Sequence, residues 1–253
     1  MSAAPLVLMV GVGGIGHPCA VALARTDAVR LLFVDDDRVE RSNLHRLFAF
    51  DESHVGASKA EALATLIERD ERRARPEVRL DRATPESVRA LLARADVVVE
   101  GSDNFATKFL VADACAMANK PVVHGAAVGW TGTVLPVVPS RSACYRCVFE
   151  DIPEGDAVDC ATAGVFAPVT ALVGALMARE ALRLAHNDHS HAGTISHLDA
   201  RTGMFRSRML ARRSNCALCS EARVIQSIDA SRYSAPSCSL QTTLDIPLES
   251  SKP

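Results

Sequence analysis

The chain has 253 residues, 48% of them hydrophobic, and a formal net charge of −2. That length suits one large α/β domain with a smaller appendage and a sizeable core. The near-neutral charge offers no counterpart to nucleic acid or an anionic membrane, and no stretch reaches the roughly 20 apolar residues of a membrane span.

The elements follow in chain order. Leu6–Val10 is a short apolar run ending at Gly11 and reads as a buried parallel strand. The apolar start, Met1 to Val10, lacks the basic flank of a leader, so a cytoplasmic protein is expected. Residues 14–25 form a small-residue helix. Val29–Val34 is the second strand, closed by Asp35, Asp36 and Asp37. A helix is expected from Lys59 to Arg69, a weak strand at 78–80, and a helix to Arg94 with Pro85 in its first turn. The valine-rich run 96–100 is a strand, 104–119 a helix and 121–124 a further strand. This alternation predicts a Rossmann-like, doubly wound, mostly parallel sheet. After Gly125 the rhythm changes to an antiparallel extension at 129–138, 193–198 and 204–210, interrupted by a helix over 163–184. The polar stretch 151–159 reads as mobile. One domain spans 1–224, and the Ser-, Thr- and Pro-rich tail 225–253 reads as disordered.

Gly11, Gly13, Gly14 and Gly16 form GVGGIG between a strand and a helix. Such glycines permit a tight turn and let backbone N–H groups approach phosphate at a helix N-terminus. Asp35 ends the second strand, at a spacing that suits a carboxylate accepting from ribose hydroxyls. Asp37, Asn43, Arg46 and Lys59 follow. Cations there can neutralise a triphosphate, which a dinucleotide does not require, so a NAD-dependent oxidoreductase is disfavoured. Asp103 and Asn104, in GSDN, sit beyond the valine-rich strand where doubly wound sheets bind ligands. Asp103 either holds Mg²⁺, which takes hard oxygen ligands, or caps the following helix.

Eight cysteines in a reducing compartment argue for metal or catalysis. Cys144 and Cys147 make one CxxC; Cys216 and Cys219 make another. Two such pairs supply the four thiolates of a closed, structural Zn²⁺ site, the alternative being two unconnected pairs. Cys19 and Cys115 fall in apolar helical patterns and read as core. Cys160 precedes a helix start, where a thiolate is favoured; it is either a sulfur-handling nucleophile or a small packing residue. His186, His189, His191 and His197 fit no helix face and read as solvated.

GVGGIG, VDDDRVERSNLHR, VGASKAEAL, GSDN, CYRC, CATAGV and CALC stand in the order found in ThiF/MoeB-type adenylyltransferases, relatives of the ubiquitin-activating enzymes, which residues 6–220 resemble. The resemblance implies ribose binding by Asp35, phosphate binding by Asn43, Arg46 and Lys59, Mg²⁺ at Asp103, structural Zn²⁺ at the four cysteines, and a catalytic sulfur at Cys160. It implies a homodimer acting on a ubiquitin-like sulfur carrier with a C-terminal Gly-Gly, with ATP as cosubstrate and a separate sulfur donor. The sequence departs from the family in three ways. An N-terminal extension carrying an arginine is usual before the first strand, Leu47 replaces a common glutamine, and Lys108 an arginine. Alternatives are adenylylation of a peptide or tRNA carboxylate, or a non-catalytic homologue that binds nucleotide and partner.

Overall fold

A computed structural model describes residues 3–69, 75–152 and 164–233. Eight strands form one sheet in the order β3-β2-β1-β4-β5-β6-β7-β8. These are β1 (Leu6–Val10), β2 (Arg30–Val34), β3 (Glu77–Arg79), β4 (Val97–Glu100), β5 (Val122–Val128), β6 (Thr131–Val137), β7 (Thr194–Asp199) and β8 (Met204–Met209). The first five run parallel and the last three pair antiparallel. The chain winds outward from β1 through β2 to β3, then returns to place β4 on the other side of β1. The strand order reverses there, opening a crevice at the strands' carboxyl ends.

Two cores lie on the two faces, because side chains alternate along each strand. Val7, Met9, Phe33 and Val99 point to one face, covered by α1 (Gly16–Ala24), α2 (Lys59–Arg69) and α5 (Ala167–Ala185). Leu6, Leu8, Leu32 and Val98 point to the other, covered by α3 (Val88–Arg94) and α4 (Phe105–Met117). On the first face α5 crosses α1 closely. A Cβ at Gly174 would lie 2.5 Å from Pro18 and 2.7 Å from the Ile15 carbonyl oxygen, so only glycine fits.

The expected α/β sheet with its antiparallel extension is present. Three local readings differ. The helix expected from Pro85 starts at Val88, because Thr84 and Ser87 close a turn with side-chain hydrogen bonds first. The strand expected to end at His124 continues to Val128. The third concerns the tail, expected to be disordered from 225. Ile225 and Tyr233 are buried in the second core, so residues 225–233 belong to the folded body. Residues 153–163, with Cys160 and most of the polar stretch 151–159, lie outside the described residues, as does the tail beyond 233.

Candidate functional site

The first turn of the nucleotide-type crevice is built by close approach. Gly11 takes a positive φ of 84° after β1. A Cβ on Gly16 would sit 2.1 Å from the Gly11 carbonyl oxygen, so α1 starts hard against the strand end. A Cβ on Gly13 would meet nothing within 4 Å, and Gly13 faces a cavity of about 710 Å³. Gly11, Gly13, Gly14, Asp35, Asp37, Asn43, Arg46, Lys59, Asp103 and Asn104 all line that cavity. Of the residues expected to bind cofactor, only Gly16 does not; it serves packing behind the turn.

The three acidic side chains after β2 divide their work. Asp35 is nearly buried, and its two oxygens accept from the Val12 N–H (2.7 Å) and the Asp37 N–H (2.8 Å). Burial pushes the Asp35 carboxyl upward, opposed by those donors and by Lys59. Asp37 accepts from the Lys59 ammonium at 2.7 Å. Asp36 takes the Arg82 Nε between its oxygens, at 2.7 and 2.8 Å. The three carboxylates lie within 4.8 Å of one another. Each already has a donor, so their cluster needs no cation to be stable.

Asp103 stands apart from them. The N-cap of α4 is Asn104, whose side-chain oxygen accepts the Thr107 N–H at 2.8 Å. The capping role therefore belongs to Asn104. Asp103 is exposed in the cavity and makes no hydrogen bond or ion pair to a described residue; Arg82 is the cation whose charge it feels. A carboxylate of that kind is a hard oxygen donor fit for Mg²⁺.

Arg46 lies over the glycine turn, its Cδ 3.2 Å from the position a Gly14 Cβ would take. Its loop is pinned by His17, the first residue after the glycines. The His17 Nε2 accepts the Ala49 N–H at 3.2 Å, and the ring meets Phe50 edge-on at 4.8 Å. Leu47, the glutamine position of the family, is buried in the core beside this contact. The His17 Nδ1 has no partner among the described residues. Burial lowers the His17 pKa to about 4. The unfolded chain titrates near the ordinary 6.5, so it binds more protons than the folded chain between those values. Stability from this residue is full above pH 6.5 and is lost as pH falls towards 4. The expected loss is about 3 kcal/mol. Urea unfolding of the wild type and of His17→Gln across that window measures it. The variant should show a flatter acid limb, and parallel limbs would assign the acid sensitivity elsewhere.

Lys108 does not reach into the cavity as a free cation. It is buried, with its ammonium 2.9 Å from Glu100 Oε2 and 2.7 Å from the Gly125 carbonyl. Burial pushes the fully buried Glu100 up, but Lys108 and then His124 outweigh it and hold the carboxyl at about 2. Glu100 Oε1 also accepts from the Ser102 N–H, which fixes the loop carrying Asp103.

The four cysteines converge. Cys144 and Cys216 sulfurs are 3.5 Å apart, Cys147 and Cys219 3.4 Å, and Cys144 and Cys147 3.8 Å. Four sulfurs bound tetrahedrally to zinc at 2.3 Å would lie about 3.8 Å apart. The Arg213 N–H also donates to the Cys147 sulfur at 3.5 Å, as thiolates in metal loops accept. The donor set fits Zn²⁺ and leaves no open position, so a bound zinc would be structural. Among the described residues the histidines of 186–197 form no metal cluster: His189 meets Arg141, His191 meets Glu180, and His186 meets the Leu182 carbonyl.

Sequence reasoning missed Asp36, Arg82 and Tyr233 in the cavity wall. Arg82 and Asp36 are 46 positions apart, and no motif joins them. Tyr233 donates to Asp113, which also receives Arg146 through two hydrogen bonds, so the end of the described chain is tied beneath the cavity.

Comparison with known proteins agrees with this geometry. Residues 3–219 match the ThiF family. The SAMP-activating enzyme E1 of Haloferax volcanii is 36% identical over 231 residues, covering 88% of this chain and 84% of that protein. The sulfur carrier protein ThiS adenylyltransferase of Escherichia coli is 34% identical over 218 residues, 84% and 85% of the two. The adenylyltransferase and sulfurtransferase MOCS3 of Dictyostelium discoideum is 34% identical, but this chain covers 55% of its length. A crystal structure of E. coli MccB with ATP shares the fold, with a TM-score of 0.73 at 22% identity over 85% of this chain and 67% of that one. With a family match along most of its length and the glycine turn, crevice and thiolate cluster in place, the chain belongs to the ThiF family.

Proposed function

We propose that the protein uses ATP to adenylylate the C-terminal glycine carboxylate of a ubiquitin-like sulfur-carrier protein, preparing that carboxylate for conversion to a thiocarboxylate by a separate sulfur donor. The observation that carries this reading is Asp103, an unpartnered carboxylate in one cavity with Arg46, Lys59 and the glycine turn. Relatives whose names describe carrier activation, at 34–36% identity over most of both chains, support the substrate class.

The chemistry needs positioning more than a nucleophile from the protein. The carrier's carboxylate attacks the α-phosphorus of ATP, pyrophosphate leaves, and an acyl-adenylate forms. The glycine turn and the N-terminus of α1 receive phosphate oxygens. Asp35 has lone pairs left beyond its two backbone donors, enough to accept from ribose hydroxyls. Lys59 carries three N–H donors, so it can serve a phosphate oxygen while keeping Asp37. Arg46, set over the turn by the His17-anchored loop, adds a second positive charge, and Asn43 a polar contact. Asp103 would hold Mg²⁺, which when bound supplies neutralisation and alignment of the phosphate oxygens. Cys160 would take sulfur or carrier after adenylylation. Cys160→Ala should then make acyl-adenylate without transferring sulfur. An unchanged thiocarboxylate yield would leave it as packing. A homodimer completes the proposal, and sedimentation of the full chain reads it.

The deciding measurement is ATP–pyrophosphate exchange with carrier proteins ending in Gly-Gly from the same genome. Exchange should appear only with a cognate carrier. Exchange with a short peptide alone moves the substrate to peptides. Tight ATP binding with no exchange on any acceptor supports the non-catalytic alternative.

A further inference from the structure

The first cavity, with the glycine turn in its wall, gives a bound mononucleotide a direction; a second lies beside the cysteines. In the proposed reading the phosphates meet the turn after β1, and the ribose meets Asp35 after β2. The sheet continues outward from β2 to β3, so the base comes to the end of β3. The Asp35 N–H donates to the Arg79 carbonyl at 3.3 Å, which sets the ends of β2 and β3 side by side. Just beyond β3, Arg82 and Ala83 line the cavity, and Phe105 lines it from the start of α4. No function has yet been given to Arg82.

Arg82 is held by one edge. Its Nε lies 2.8 and 2.7 Å from the two oxygens of Asp36, and its Nη2 lies 3.7 Å from Asp37 Oδ1. Its Nη1 has no hydrogen-bond partner among the described residues, and the side chain is 67% exposed. A guanidinium donates within its plane. Contacts along one edge therefore fix the orientation of that plane and leave its faces to another partner.

Charge decides whether that partner is phosphate or base. Asp35, Asp36 and Asp37 lie within 4.8 Å of one another, and Lys59 and Arg82 are the cations bound to them. Two cations against three carboxylates leave no surplus to draw an anion to this corner. Arg46 differs: it makes no ion pair with a described residue and stands over the glycine turn, where phosphate is expected. The face of a nucleobase is uncharged and rich in π electrons, and guanidinium planes stack on such faces.

We propose that Arg82 is a nucleotide-binding residue that stacks its guanidinium plane, fixed by Asp36, on the base of ATP. The inference rests on the reading of this cavity as an ATP site. It adds the contact that distinguishes the base from the triphosphate.

Nucleotide affinity of the full-length, zinc-loaded protein tests it, read by titration calorimetry with magnesium and without a carrier, so that the identity of the acceptor does not enter. ATP is titrated directly, and UTP, whose smaller ring stacks less well, by competition. Arg82→Ala should weaken ATP by about tenfold and UTP by no more than about threefold. Arg82→Lys keeps the charge and loses the plane, so it should bind ATP as weakly as the alanine variant. Lys59→Ala, on the phosphate side, should weaken both nucleotides alike. Arg82 is exposed, so both of its variants should fold, with melting curves close to that of the wild type. Wild-type protein that binds no ATP would bring down the ATP reading and this inference with it. Where the wild type binds ATP, three results overturn the base contact alone: unchanged ATP affinity in Arg82→Ala, equal weakening of ATP and UTP in that variant, or full affinity restored in Arg82→Lys.

Discussion

Asp103→Ala should lower carrier-dependent pyrophosphate exchange by about 10²–10³ while leaving the melting temperature unchanged. The two readings of Asp103 predict different outcomes. As a helix cap it would contribute roughly 1 kcal/mol to stability and nothing to exchange. The cap of α4 is made by Asn104 through the Thr107 N–H, so truncating Asp103 removes no such contact. Its worth lies in the cavity. The triphosphate and the attacking carboxylate are both anionic, and the positive side chains there are already shared. Lys59 is bound to Asp37 and Arg82 to Asp36. Arg46 alone is a small offset to that much negative charge. Lys59→Ala should lose less in rate, with more of its loss in ATP affinity. Measuring exchange and melting on the same Asp103 variant decides the matter. Near-normal exchange would remove the metal assignment. A fall in melting temperature of several degrees would return Asp103 to a structural part.

The second large effect is expected at the cysteines. Purified protein should hold about one zinc per chain, because four thiolates close one tetrahedral site. A bound zinc would join the 144–147 loop to the 216–219 loop across α5, β7 and β8. A cross-link closing a segment of about 70 residues restrains the unfolded chain by about 4 kcal/mol on the scale used for disulfides. For a chain of 253 residues that corresponds to a melting shift of roughly 8 °C. Cys144→Ser and Cys219→Ser should each show it, together with loss of bound zinc. Nucleotide binding at low temperature should survive, since the cluster lies away from the first cavity. An unchanged melting curve in metal-free protein would refute the structural role.

Local chemistry made much of this legible in advance. The glycine turn, α2 from Lys59 to Arg69, the valine strand and the paired CxxC motifs each carry their signal within a few residues. What stayed hidden depends on contacts between distant segments. The Arg82–Asp36 pair has no local signature. Gly125, just beyond the expected strand 121–124, sits inside β5 because α5 presses on it; a Cβ there would come within 2.2 Å of the Met177 sulfur. The segment 225–233 has the composition of a tail, yet Ile225 and Tyr233 anchor it. Average composition cannot register two apolar anchors among polar neighbours. The sequence offered Asp103 as the cap of α4, and only the geometry gives that part to its neighbour Asn104.

Glu100, Lys108 and His124 act as one unit. Glu100 has no exposure to solvent and spends its oxygens on Lys108, Ser102 and His124. Removing Lys108 leaves the buried Glu100 charge uncompensated, at a cost of about 3–5 kcal/mol, whereas exchanging the whole set for well-fitted neutral side chains can be close to neutral. Single steps away from the present combination are therefore barred to drift, and descendants of this sequence should change these positions together or keep them all. A double-mutant cycle on Glu100→Gln and Lys108→Met should accordingly be strongly non-additive, the pair being more stable than the sum of its parts.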